Sequence, residues 1–284
     1  MLSPEKRMLP LQHITILTDI KGDFIPTLDV AAALCRWYNA DLIVFHITDE
    51  NSLDSARERL TSLVEQKHWC DIHAKIVVSK AEINDALTEL ETYSPDLLIL
   101  TTRAKANVRK WVAGSVTQQV FRLTHRPVLV LGPEVVSQEH CGSQPCRRIL
   151  FATDMSAVSL MALHFAAGFA HDHEAQLTVL HVETNPQKGF TADRVIAEQR
   201  LRDWMRSHIG GMAHTIENAA VAVDFGSPAT HILAAAHDHK ADLIILGAQG
   251  AGAMTGLASR FLGGTAYEVC CNAKCPLLIV PEAH

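Results

Sequence analysis

Short, nearly continuous apolar runs alternate along this chain with longer stretches whose apolar residues return at helical spacing. Ile14-Thr15-Ile16-Leu17-Thr18-Asp19 is a run of the first kind and predicts a buried strand ending in a carboxylate. Leu28, Ala31, Ala32 and Cys35 follow on one helical face, and Asn39 suits the end of that helix. Leu42–Ile47, Ile72–Val78, Leu97–Leu100 and Pro127–Leu131 predict four further strands. Between them the pattern places a polar helix capped by Ser52 and running to Trp69, and a helix from Glu82 to Tyr93 stopped by Ser94-Pro95. A last helix opens at Gly114-Ser115. Strands without inside–outside alternation, each followed by a helix, predict an α/β fold built on a parallel sheet covered on both faces.

The order then repeats. Ile149–Asp154 matches the first strand and Leu177–Val182 the second, both displaced by 135 residues. Met161–Ala170 supplies the helix between them. Asp242–Leu246 matches Asp96–Leu100 at a displacement of 146, and Gly263 and Pro276 match Gly114 and Pro127 at 149. The second copy has gained 11 residues around its second helix (Thr191 to Ile209) and third strand, and three more in the loop after its fourth strand. Insertions that fall between elements and leave the elements intact mark a structural repeat. Val136 to Cys146, rich in Ser, Gln, Gly and Pro, interrupts the pattern. The expected domains are therefore 1–136 and 148–284, joined by a linker at 137–147.

Composition narrows the function. With 284 residues, 48% of them hydrophobic, the chain can bury two cores. A net charge of −6 excludes nucleic acid as the main partner, because binding phosphates takes a basic surface. No apolar run approaches the ~18 residues of a membrane helix, so no membrane partner is expected. Met1 to Arg7 lacks the apolar core of a secretion signal, and seven irregularly spaced cysteines do not form a disulfide framework. A cytoplasmic location is the expectation.

The candidate chemistry lies after the fourth strand of the second copy. Leu243–Leu246 runs into Gly247-Ala248-Gln249-Gly250, and Gly263-Gly264-Thr265 then opens a helix. A strand, a glycine loop and a helix start can turn backbone N–H groups and a partial positive charge onto a phosphate. The plainer reading of these glycines is a flexible turn, and that of Asp154 or Asp19 is a cap on the next helix. The first copy differs in kind: Arg103, Lys105, Arg109 and Lys110 crowd its loop beside Trp111, where the second loop has only Arg260. Four cations could grip a phosphate, although such a run is more often a solvated face.

These segments resemble the universal stress protein family in its tandem form. Arg148–Ser156 resembles its opening strand and Asp-x-Ser turn, and Leu180-His181-Val182 its second strand. Gly226-Ser227-Pro228-Ala229 with Ala241–Gly247 is similar to its third helix and fourth strand, and Cys275–Val280 to its last strand. The resemblance implies two doubly wound, Rossmann-like domains of strand order 3-2-1-4-5, forming an internal pseudo-dimer near the fifth strands, with a homodimer and other proteins as further partners. It also implies ATP with Mg²⁺. Asp154 would then meet the adenosine end, Val182 would lie near the base, and Gly247, Gly250, Gly263, Gly264 and Thr265 would hold phosphates. Nucleotide-binding members carry Gly-x-x-Gly, nine residues, then Gly-Ser or Gly-Thr, and both copies depart from this. The first keeps Gly114-Ser115 but has Thr101 and Ala104 at the glycine positions; the second keeps Gly247 and Gly250 but sets twelve residues before Gly263-Gly264-Thr265.

The implied function is a stress-response protein with an adenine nucleotide as regulatory ligand of the second domain. The alternative is a scaffold that binds proteins without nucleotide, and a slow ATP hydrolase is a third reading. No nucleophile elbow, Walker lysine or Ser-His-Asp arrangement points to an enzyme. Among the sixteen histidines, His171-Asp172-His173 and His237-Asp238-His239 follow predicted helices, where exposed imidazoles suit the negative helix end; i,i+2 pairs do not close a metal shell. His140, Cys141 and Cys146 in the linker likewise lack a full ligand set for zinc. Cys270, Cys271 and Cys275 are expected in the core.

Overall fold

Each apolar run becomes a strand, and each helical-period stretch becomes a helix. The computed structural model describes residues 7–18, 24–48, 52–101, 115–132, 135, 146–184, 191–209, 211–248 and 264–282. They divide into two compact units: Pro10–Gln144, and Pro145–His284 together with Met1–Leu9. The first unit runs β1 (His13–Thr18), α1 (Phe24–Tyr38), β2 (Asp41–Ile47), α2 (Leu53–Gln66), β3 (Ala74–Ser79), α3 (Ile83–Glu91), β4 (Leu97–Thr101), α4 (Ser115–Leu123) and β5 (Val128–Leu131). The second runs β6 (Arg148–Thr153), α5 (Val158–Asp172), β7 (Gln176–Glu183), α6 (Thr191–His208), α7 (Ala213–Glu217) and β8 (Ala220–Phe225). It continues through α8 (Pro228–Asp238), β9 (Leu243–Gly247), α9 (Gly264–Asn272) and β10 (Leu277–Val280).

Within each unit the strands pair in parallel. In the first, β1 lies between β2 and β4, with β3 beyond β2 and β5 beyond β4. In the second, β6 lies between β7 and β9, with β8 beyond β7 and β10 beyond β9. Both units are thus doubly wound in the order 3-2-1-4-5. Helices on both faces explain why the strands are apolar throughout: Ile14, Ile16, Val44, Phe45 and Leu97–Ile99 in one core, and Leu150, Phe151, Val179, Ile244 and Ile245 in the other, are almost wholly removed from water.

The repeat extends to hydrogen bonds. Asn39 ends α1 in the left-handed region (φ 55°), and Glu174 does so after α5 (φ 51°). The next N–H in each case, Ala40 or Ala175, reaches back to the carbonyl of Cys35 (2.9 Å) or Ala170 (2.8 Å) and satisfies a helix-end acceptor. Ahead of the fourth strands, Asp96 accepts the Gln12 and His13 N–H groups at 2.7 and 2.8 Å, and Asp242 accepts those of Arg147 and Arg148 at 3.0 and 2.9 Å. One carboxylate therefore fixes where strand 1 begins against strand 4 in each unit.

Four details depart from the sequence pattern. Helix α2 stops at Gln66 instead of Trp69, because Lys67 caps it and His68 turns left-handed (φ 51°). Ser52 holds the N-cap position without a side-chain capping bond; its carbonyl instead accepts the Ser55 hydroxyl at 3.0 Å. The residues gained by the second copy include the short helix α7, which no periodicity signalled. Finally, the Met8 and Leu9 N–H groups donate to the two oxygens of Asp172 at 2.7 and 3.1 Å, tying the start of the chain to the end of α5. Of the linker at 137–147, residues 137–145 lie outside the described residues.

Candidate functional site

In the second unit the chain passes from β6 to β7 and β8 on one side, then returns to β9 and β10 on the other. The order reverses between β6 and β9, and in such sheets the crevice at the carboxyl ends of the strands at that point receives ligands. Asp154 directly follows β6. Thr153 lies opposite His181 in the β6–β7 register, so Val182 stands one step further along β7. Gly247 ends β9, opposite Val280 of β10, and the adjoining Ala248 N–H donates to the Val280 carbonyl at 2.8 Å. Asp154, Val182 and Gly247 therefore sit at the same end of three neighbouring strands. Because β9 and β10 are parallel, α9 runs back along the sheet, and its first residues, Gly264 and Thr265, lie at that end too. Gly250 and Gly263 lie outside the described residues.

The turn that carries Asp154 is tightly determined. The Met155 N–H donates to Thr153 Oγ1 at 2.9 Å, and Met155 occupies the left-handed region (φ 60°), which disfavours a side chain. Asp154 Oδ1 accepts the Ser156 N–H at 3.0 Å and the Ser159 hydroxyl at 2.6 Å. The capping reading of Asp154 is thus met in a modified form. Ala157 is the N-cap residue of α5, and Asp154 reaches the helix through Ser159 in its first turn. At the start of helix α9, Gly264 is exposed.

The first unit fills the corresponding place. Thr101, at the end of β4, sits where the second unit has Gly247, and its Oγ1 lies 2.9 Å from Thr27 Oγ1 in α1. The 135-residue displacement carries Thr27 onto Ala162 of α5. A hydroxyl pair in one domain is therefore replaced by Ala162 and Gly247 in the other. Asp19, Arg103, Ala104, Lys105, Arg109, Lys110, Trp111 and Gly114 all lie outside the described residues, so the cationic loop contributes no geometry.

Sequence reasoning missed residues that support this site. His181 and His46 were visible only as strand members, yet both are buried and place Nδ1 2.8 and 2.7 Å from the carbonyls of Thr153 and Thr18. Their common displacement of 135 was the available signal. Ser159 and Thr27 carried no such mark. The histidine clusters also need correction. His171 and Asp172 belong to the last turn of α5, and His173 is buried, with its ring stacked on Phe169 at 5.7 Å; packing, not solvation of a helix end, accounts for it. Burial, with the charge of Arg7 second, pushes its pKa down to about 4. His237 and His239 are exposed, and among the described residues no three His, Cys, Asp or Glu side chains converge as a metal site would require. Cys270 is buried and its thiol is pushed up to about 12 by that burial, whereas Cys271 and Cys275 are only half-buried.

Two α/β domains of this strand order, each reversing beside the carboxyl end of its first strand, define a tandem Rossmann-like protein. The chain belongs to the universal stress protein family, whose profile matches residues 26–132 and 145–281, one region in each domain. It is similar to a universal stress protein of Methanocaldococcus jannaschii, at 30% identity over 148 residues covering 50% of this chain and 85% of that one. It is also similar to a universal stress protein of Thermus aquaticus, at 33% identity over 138 residues covering 47% and 98%. The crystal structure of a universal stress protein from Archaeoglobus fulgidus superposes with a TM-score of 0.70 over 98% of each chain at 19% identity, a likeness of fold. No helix among the described residues is long and apolar enough to cross a membrane.

Proposed function

We propose that the second domain binds an adenine nucleotide, ATP with Mg²⁺, as a regulatory ligand in a stress response, and that the first domain serves as its structural partner. The observation that carries this reading is the grouping of Asp154, Val182 and Gly247 at the ends of three adjacent strands, with the start of α9 at the same end. Asp154 suits a ribose hydroxyl, and Val182 an apolar base face. The Gly264–Thr265 helix start offers N–H groups to phosphate, and the Thr265 hydroxyl is a hard oxygen of the kind Mg²⁺ accepts. A helix end contributes up to ~2 kcal/mol of the ~8 kcal/mol that micromolar affinity needs, so base burial and loop N–H groups must contribute most of the rest.

Calorimetry of the full chain with ATP and Mg²⁺ tests the reading. One site per chain is expected, and no heat at millimolar ATP would remove it. Gly247→Val should abolish binding while leaving the far-ultraviolet spectrum unchanged; wild-type affinity in that variant would displace the ligand from this crevice. The Thr27–Thr101 pair favours a scaffold role for the first domain, since hydroxyls meet where a phosphate-binding loop would begin. A protein complex that the first domain captures equally with and without ATP would support that role.

A further inference from the structure

We infer that His181 is a positioning residue for nucleotide binding: its imidazole holds the Thr153 carbonyl and so sets the direction in which Asp154 enters the crevice. Carbonyl oxygens only accept, so at 2.8 Å the His181 Nδ1 carries the hydrogen and donates it. Thr153 is the last residue of β6, and the register pairs end there, Thr153 opposite His181. The peptide unit from Thr153 to Asp154 is planar, so fixing its oxygen fixes the N–H and Cα of Asp154 as well.

That control matters because the following residue is held against its preference. Met155 has φ 60°, a conformation that is unfavourable for a residue with a side chain and persists only where neighbours over-determine it. The Thr153 hydroxyl on the Met155 N–H and Asp154 Oδ1 on the Ser156 N–H act on the far side of the turn; His181 acts on the near side. The imidazole is 7% exposed, so burial leaves the ring little room to turn away from the Thr153 carbonyl.

The chain contains its own control. In the first domain His46 Nδ1 stands 2.7 Å from the Thr18 carbonyl, at the same register position, Thr18 opposite His46. The bond therefore belongs to the repeat, but only in the second domain does it act beside Gly247; in the first, Thr101 and Thr27 occupy that strand end. Loss of either imidazole should disturb its own strand end, and only loss of His181 should disturb ligand affinity.

The affinity arm rests on the nucleotide reading above; a second arm does not. Asparagine places an amide N–H at the position of Nδ1, whereas glutamine carries its amide one carbon too far. With His181→Asn, ATP affinity should stay within about twofold of wild type; with His181→Gln it should fall about tenfold or more. His46→Gln should leave it unchanged. In the ligand-free protein, the amide resonances of Met155 and Ser156 should move in His181→Gln and hold in His181→Asn. Should His181→Gln not fold, His181→Ala, which adds no length, takes its place. If the wild-type chain binds no ATP, the nucleotide reading falls and the amide resonances alone decide the positioning. Unmoved Met155 and Ser156 resonances in His181→Gln, equal displacement in both His181 variants, or equal losses of ATP affinity in His181→Gln and His46→Gln would overturn it.

Discussion

The hydroxyls of Thr27 and Thr101 lie 2.9 Å apart, joining the first turn of α1 to the end of β4. Thr27 is fully buried, so removing the Thr101 hydroxyl takes one hydrogen bond from a desolvated group. Through the repeat these two positions become Ala162 and Gly247, which can make no such bond. Thr101→Val should therefore destabilise the first domain by about 0.5–1.5 kcal/mol, the net contribution of one hydrogen bond. Nucleotide stoichiometry should stay at one per chain. Urea unfolding followed by calorimetry on the same sample checks both; a second binding equivalent in Thr101→Val would show that the threonine had been masking a competent site.

Asp96 and Asp242 offer a second paired test. Each carboxylate accepts two successive backbone N–H groups at the start of strand 1, and Asp242 also takes the Arg148 guanidinium at 2.9 Å. Charge-assisted bonds to backbone exceed neutral ones, so Asp→Ala at either site should cost about 1.5–3 kcal/mol in its own domain. Arg148 is exposed, and Arg148→Ala should cost no more than about 1 kcal/mol. Urea midpoints for the three variants check the ranking. Equal losses in Asp242→Ala and Arg148→Ala would shift the weight from the backbone bonds to the ion pair.

The fold was legible because its signals are local and repeated. Leu97–Leu100 and Leu243–Leu246 announce buried strands by composition, Asn39 announces a left-handed helix end, and displacements of 135, 146 and 149 residues confirm each copy by the other. Of the candidate site, Asp154, Val182, Gly247, Gly264 and Thr265 were legible in the sequence, since they lie at or beside element ends that a pattern can locate. His181 was not, since within an apolar run a histidine looks like any buried strand residue until register shows which carbonyl it meets. Thr27 and Thr101 lie 74 residues apart, and no periodicity links positions on different elements. The contact of Leu9 with α5 is longer still in sequence, 163 residues from Leu9 to Asp172.

That contact predicts a compensating pair. A Cβ on Gly168 would stand 2.7 Å from both Cγ and Cδ2 of Leu9, closer than carbon atoms approach. Leu9 is itself buried, so it cannot swing into solvent without loss. Gly168→Ala would gain about 0.8–1 kcal/mol of helix propensity, yet overpacking of about 1–3 kcal/mol should outweigh it. Leu9→Ala alone should cost about 2–5 kcal/mol, as buried leucine truncations do. The double variant should be more stable than the sum of the singles predicts by more than about 0.5 kcal/mol. A double-mutant cycle in urea gives this coupling directly, and strict additivity would mean that Leu9 does not pack on Gly168 in solution.

Next to that contact, His173 makes the second domain sensitive to acid. Burial first, and the Arg7 charge second, push its pKa down from 6.5 to about 4. In this window the unfolded chain binds a proton that the folded domain does not, so stability rises with pH from 4 to 6.5 and is lost as pH falls through the same range. One group with this displacement contributes a loss on the order of 3 kcal/mol between neutral pH and pH 4, and nothing further below that. His173→Phe keeps a ring against Phe169 and removes the titration. Its absolute stability can move either way, but the difference in unfolding free energy between pH 7 and pH 4.5 should shrink by about 2 kcal/mol relative to wild type. Carboxylates titrate alike in both proteins and cancel in the comparison. An unchanged pH dependence in His173→Phe would mean that this imidazole is not held neutral inside the fold.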